Sequence, residues 1–227
     1  MSTGRTSISC TENTVTSIKT PIGYTTRDDI FVRGRNLSTD IIPNADFAEM
    51  VCLCILGRTP EPNFKRMINL LLVTSCDHGF TPSSISSRLT FLGAPESLQG
   101  AVAAGLNGLG TVFVGSIEGA AKVLSEAMPQ PDANADFAAL ARPVVESFKA
   151  SKRIVPGIGH PFHKPVDPRA PRLLQIARET GFDGPYLQLM TAIADEASRS
   201  SGKVLPMNAT GAIGALCCEM GFNWKIC

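Results

Sequence analysis

The chain has 227 residues, enough for one domain with a small appendage at about 150 residues per domain, and it needs no disulfide or metal staple to bury a core. Lys and Arg number 21 against 20 Asp and Glu, and only 18% of residues are charged, which argues against a nucleic-acid or acidic-membrane binder. Hydrophobic residues make up 44%, with one Trp and two Tyr, so bulk disorder is excluded and small and aliphatic side chains must fill the interior.

Residues 1 to about 28 are rich in Ser and Thr and lack apolar periodicity, so they read as a flexible segment without the apolar core of a signal peptide. One helical domain is predicted over 29–227. The run from Ile30 to Gly34 fits a short strand. Asp46 caps a helix through Leu56 that Gly57 ends, with Phe47, Met50, Val51, Cys54 and Ile55 on one face. Helices over 62–76, 82–92 and 95–106 each open with a Pro, whose fixed φ suits a first turn. Further helices follow over 112–128, 136–150, 169–180, 185–200 and 209–220. Strand signals are nearly absent, and the fold class is all-α. The uncharged stretch 97–117 has the length of a membrane span, but its five glycines with Gln99 and Asn107 predict a buried soluble helix broken near Gly108. Seven cysteines show no C-x-x-C spacing, so free thiols in a reducing, cytoplasmic compartment and no metal site are expected.

The stretch from Val155 to Pro171 breaks the helical pattern with five prolines, two glycines, His160 and His163, and reads as a shaped loop where a site would sit. The third histidine, His78, also adjoins a glycine. Any one of them is more often a satisfied loop residue, but three at loop and helix junctions favour a site. The Gly157-Ile158-Gly159 triplet lets backbone approach a ligand, yet no strand precedes it, which rejects a dinucleotide fingerprint. Lys164, Arg169 and Arg172 are cationic, and an Arg beside a His suits clamping a carboxylate while polarising a carbonyl; a solvated basic face is the alternative. Arg88 offers a further anion contact or a plain helix surface.

The segment PGIGHPFHKPVDPRAPRL resembles the Gly-x-Gly-His and Asp-Pro-Arg region of the citrate synthase superfamily, and DHGFTPSSISSRLTF resembles its Asp-His-Gly region. Two further segments, GLNGLGTVFVGSIEGAAKVL and LPMNATGAIGALCCEMG, match in the same order, so the resemblance runs from about Ile30 to Trp224. It is nearest to citryl-CoA lyases and the lyase end of ATP-citrate lyase. The resemblance implies a mostly helical homodimer, truncated at the C-terminus, that makes or breaks the bond between an acyl-CoA-type enolate and a keto acid. No bound cofactor is implied; a coenzyme A thioester would be a substrate. Carried over by motif, His160 would polarise the keto-acid half, His78 would hydrogen-bond it, and Arg169 would clamp a carboxylate. Arg88, Asn208 and His163 would complete the substrate contacts, while Gly157, Ile158, Gly159 and Lys164 would meet coenzyme A.

Three departures stand against that pattern. Phe113 occupies the position of a family histidine, as an apolar residue does in lyase-type relatives. Thr210 stands where the family has its acid/base Asp, and cannot act as a carboxylate base. The chain stops at Cys227, where the family continues into a segment bearing two more substrate-binding arginines. Besides lyase-like chemistry, two readings remain open: His-based acid/base chemistry on another polycarboxylic substrate, and a non-catalytic homologue.

Overall fold

The computed structural model describes residues 20–77, 79–111 and 113–227, and it divides into two compact units, one up to Pro60 and one from Glu61 to Cys227. In the first unit, strands β1 (Gly23–Thr25), β2 (Ile30–Val32) and β3 (Arg35–Asn36) pair antiparallel in chain order, with Tyr24 opposite Phe31 and Val32 opposite Arg35. β1 lies inside the segment expected to be flexible, of which residues 1–19 fall outside the described residues. Arg33 and Gly34 connect β2 to β3 with φ of 49° and 81°, the left-handed pair that a tight hairpin turn requires. Asn36 accepts from the backbone of Ser38 and Thr39 and opens a π-helical turn, Leu37–Ile41, that runs into α1 (Ile42–Asn44). α2 (Phe47–Leu56) has the predicted ends, with the Asp46 carboxylate accepting from Glu49 N–H and Gly57 closing it at φ 72°.

The second unit holds α3 (Pro62–Ser75), α4 (Pro82–Gly93), α5 (Leu98–Asn107), α6 (Ser116–Ala127), α7 (Phe137–Ala150), α8 (Arg169–Thr180), α9 (Pro185–Ser201) and α10 (Ala209–Glu219). Two starts differ from the sequence reading. Residues 94–97 form a turn closed by Ser97 N–H to Ala94 C=O, so α5 begins at Leu98 instead of Pro95. α6 begins at Ser116 instead of 112 because Gly110 N–H reaches Phe113 C=O at 2.9 Å and Gly115 N–H returns to Gly110 C=O at 3.0 Å. The 97–117 stretch does break near Gly108, but it is not buried. α5 buries only Ala101 and α4 buries no residue, which leaves Leu89, Leu92, Leu98, Val102 and Leu106 exposed. Gly105 and Gly108 lie against Ser83 and Ser87 and let these two helices pack closely. Among the described residues no helix is long and apolar enough to cross a membrane.

The core of this unit is built on α10, which packs against α6, α8 and α9 and is buried at every position except Thr210 and Glu219. Five of its eleven residues are Ala or Gly, so its neighbours approach to backbone distance. A Cβ on Gly214 would lie 2.9 Å from the Ala120 methyl, and one on Gly157 would lie 2.5 Å from the Gly211 Cα. Nothing larger than glycine fits where the 157–159 loop passes the first turn of α10.

Asp167 ties α8 to that same first turn. Its side chain is 0% exposed, and its carboxylate accepts from Arg169 N–H (3.1 Å), Arg169 Nε (3.0 Å), Arg169 Nη2 (2.8 Å) and Ala209 N–H (2.9 Å). Burial alone would raise the carboxyl above its ordinary 3.8, but the hydrogen bonds from Arg169 and from the two backbone N–H groups outweigh it and hold the group at about 2. A carboxyl held lower in the folded than in the unfolded chain contributes stability above pH 4, and that contribution is lost as pH falls toward 2. Denaturant titrations from pH 5 to pH 2 are therefore expected to show the unmodified protein losing about 2 kcal/mol more than Asp167→Asn does. Parallel losses in the two proteins would contradict this.

Candidate active site

A cleft of about 700 Å³ opens in the second unit, where the end of α3, the start of α4, the 109–117 turn, the His160 loop and the first turns of α8 and α10 converge. His160, Arg169, Asn208 and Thr210 line it together, as do Phe113 and Asp77. Two segments about forty residues apart thus bring His160 and Arg169 together with Asn208 and Thr210. His78 lies outside the described residues; its neighbours Asp77 and Gly79 line the cleft.

His160 is positioned by its own loop. Its Nδ1 accepts from the backbone N–H of Phe162 (3.1 Å) and of His163 (3.0 Å), so the ring proton of the neutral imidazole sits on Nε2. Nε2 is then a hydrogen-bond donor, as polarising a carbonyl requires. The His163 ring lies tilted by 32° against His160 with centroids 4.4 Å apart, and His163 is exposed.

Arg169 begins α8 with its Nε and Nη2 turned to Asp167, and Nη1 meets no acceptor among the described residues. The side chain is about one third exposed, so part of the guanidinium reaches the cleft. Asn208 caps α10: its Oδ1 accepts from Gly211 N–H (3.1 Å) and Thr210 Oγ1 (2.7 Å), and its Nδ2 donates to Gly159 C=O (2.6 Å). Most of the Asn208 amide is therefore engaged by the protein. The Thr210 hydroxyl donates to that cap.

The Gly157-Ile158-Gly159 backbone is also engaged internally. Gly157 C=O accepts from Asn208 N–H (3.0 Å), Gly159 N–H donates to Pro206 C=O (2.7 Å), and Ile158 bridges to Met207. Gly157 makes its close approach to α10. Ile158, Gly159 and His160 do line a second cavity of about 620 Å³, with Phe148, Ile154 and Leu205 as apolar walls and Lys149 and Arg153 as its cations. His160 and Pro161 line both cavities. Arg88 and Lys164 are exposed and line neither.

Asp167 is the residue that the sequence reading passed over. Its signal was an Asp two residues before an Arg at a helix start, but only the structure makes it the buried centre of four hydrogen bonds. No group of His, Cys, Asp and Glu suited to a metal ion occurs among the described residues.

Residues 15–227 match the family model "Citrate synthase, C-terminal domain". The structure of citryl-CoA lyase from Hydrogenobacter thermophilus superposes with a TM-score of 0.79 and 32% identity, over 92% of this chain and 78% of that one. ATP citrate lyase from Methanothrix soehngenii, solved with citrate and coenzyme A, shares the fold at a TM-score of 0.73 and 20% identity, over 91% of this chain and 32% of that one. Among curated proteins, a probable ATP-citrate synthase subunit 1 of Schizosaccharomyces pombe is 27% identical over 135 residues, which span 56% of this chain and only 21% of that protein. The fold, the cleft and these likenesses agree that the chain belongs to the citrate synthase family.

Proposed function

We propose that this chain is a citryl-CoA lyase-like enzyme that makes or breaks the carbon-carbon bond between an acyl-CoA-type unit and a keto acid. The observation that carries the reading is the meeting of His160 and Arg169 in one cleft, with His160 also lining an apolar cavity that holds Lys149 and Arg153. A guanidinium matches a carboxylate, a donor at Nε2 matches a carbonyl oxygen, and an apolar cavity with two cations matches a thioester whose far end carries phosphates. In cleavage, the substrate hydroxyl passes its proton to a water in the cleft as the carbon-carbon bond breaks, and the bond electrons pass to the thioester as an enolate. His160 Nε2–H stabilises the oxygen that becomes the keto-acid carbonyl. Arg169 holds the adjoining carboxylate, and the enolate then takes a proton at carbon. His78 adds a further hydrogen bond to the keto acid in this reading. Thr210 supplies no carboxylate, so proton transfer at the acyl carbon falls to water or to another group in the cleft.

The same departure favours a second reading, in which His160 serves other acid/base chemistry on a polycarboxylic substrate without coenzyme A. A mass-spectrometric turnover assay with citryl-CoA, and with acetyl-CoA plus oxaloacetate, separates the two. The lyase reading expects citryl-CoA to yield acetyl-CoA and oxaloacetate, His160→Ala to lower the rate by roughly a hundredfold or more, and Thr210→Asp to raise it. No turnover in either direction by the folded protein, with no gain from Thr210→Asp, would remove that reading.

The reading includes a homodimer. The exposed Leu89, Leu92, Leu98, Val102 and Leu106 of α4 and α5 supply an apolar face that a second copy would cover. Gly115 and Gly119, small residues that suit a helix seam, serve packing within the chain, against the 110–111 backbone and Pro156. The localisation proposed is cytoplasmic, which the free thiols of the described cysteines support. Light scattering after size exclusion is expected to give twice the chain mass at micromolar concentration, and Leu92→Glu with Val102→Glu to give one chain mass. A monomer for the unmodified protein would refute the dimer.

A further inference from the structure

We infer that Asp167 is the positioning residue of this site: its carboxylate fixes which edge of the Arg169 guanidinium is presented to the cleft. The inference rests on the reading of Arg169 as a carboxylate clamp.

A free arginine side chain samples many rotamers and offers five N–H donors on two edges. In this chain one edge, Nε with Nη2, lies against the two oxygens of Asp167 at 3.0 and 2.8 Å. The remaining edge, with Nη1, is the one that a substrate carboxylate can meet. Asp167 is fixed in turn, because its Oδ2 also takes Ala209 N–H at 2.9 Å and its Oδ1 takes Arg169 N–H at 3.1 Å. The clamp is thereby referenced to the first turn of α10, where Asn208 and Thr210 stand, and to the Gly159 carbonyl that Asn208 holds beside His160. One buried side chain thus sets the spacing between the carboxylate end and the carbonyl end of the cleft. A role confined to capping α8 would need the backbone N–H of Arg169 alone; two further bonds to the guanidinium go beyond that.

Asn at this position keeps the shape and loses the hold. Its amide has one acceptor oxygen, and its NH2 would face two donors in either orientation, Arg169 Nη2 with Ala209 N–H at the Oδ2 position or Arg169 Nε with Arg169 N–H at the Oδ1 position. Asp167→Asn should therefore weaken the binding of oxaloacetate, the keto-acid probe, by roughly tenfold or more. Arg169→Gln should weaken it comparably, and the double variant should bind no more weakly than Arg169→Gln alone, since Asp167 acts through Arg169. Calorimetric titration of the full chain reads all four proteins. Losses that multiply in the double variant, or unchanged binding by Asp167→Asn, would overturn the inference.

A second measurement needs neither substrate nor a folded Asp167 variant. In the unmodified protein, the Arg169 Nε–H signal in a nitrogen-proton correlation spectrum, assigned through Arg169→Gln, should exchange with water at least about tenfold more slowly than that of the exposed Arg142. Exchange as fast as at Arg142 would overturn the inference even if oxaloacetate binds. Slow exchange in a protein that does not bind oxaloacetate would instead remove the functional reading and leave Asp167 as the residue that holds Arg169.

Discussion

The cleft exists because two stretches of backbone touch with no side chain between them. Gly157 passes Gly211 so closely that a methyl group on either would strike the other's main chain, and the hydrogen bonds from Asn208 N–H to Gly157 C=O and from Gly159 N–H to Pro206 C=O fasten the contact. Only through it do His160, three residues beyond Gly157, and Thr210, one residue before Gly211, come to line one space. An alanine at either glycine would force the loop off α10 by the depth of a methyl group, at a cost of about 1 to 3 kcal/mol in packing and at the expense of the site's geometry. The small residues of α10 follow from the same demand, since a helix buried on nearly every side must let α6, α8 and α9 close on it.

A helix so apolar brings no charge to the cleft, and the charge that is present is managed with care. Asp167 is ionised while fully buried, which is tolerable only because four donors saturate it. The pair it forms with Arg169 is neutral overall, so the clamp works by directed hydrogen bonds more than by net attraction. His160 is treated in the same way. Two backbone N–H groups on Nδ1 leave the proton on Nε2, and the loop that carries the ring also sets its protonation pattern.

Much of the helical framework was legible in local chemistry. Asp46 with Gly57, and Pro62, Pro82 and Pro185 at helix starts, mark ends by mechanisms that act within one turn. The three-stranded sheet over 23–36 was mostly illegible because its strands are two or three residues long and the Arg33-Gly34 turn between β2 and β3 lacks the usual Asn-Gly or Asp-Gly. Of the site, the motifs marked His160 and Arg169, while the partners that orient them depend on burial, which sequence spacing does not carry. Asp167 read as the lead-in to Asp-Pro-Arg, and only its complete enclosure reveals its part. The glycines of Gly157-Ile158-Gly159 do mark a close approach of backbone, but for Gly157 the approach is to Gly211.

The central claim is that a keto acid binds in this cleft with its carbonyl against His160 and its carboxylate against Arg169. The most direct test is the carbon-13 resonance of the ketone carbonyl of labelled oxaloacetate bound at saturation. A downfield displacement from the free value, lost in His160→Ala while binding persists through Arg169, is the predicted result. A bound carbonyl resonance identical to that of the free keto acid would contradict the account.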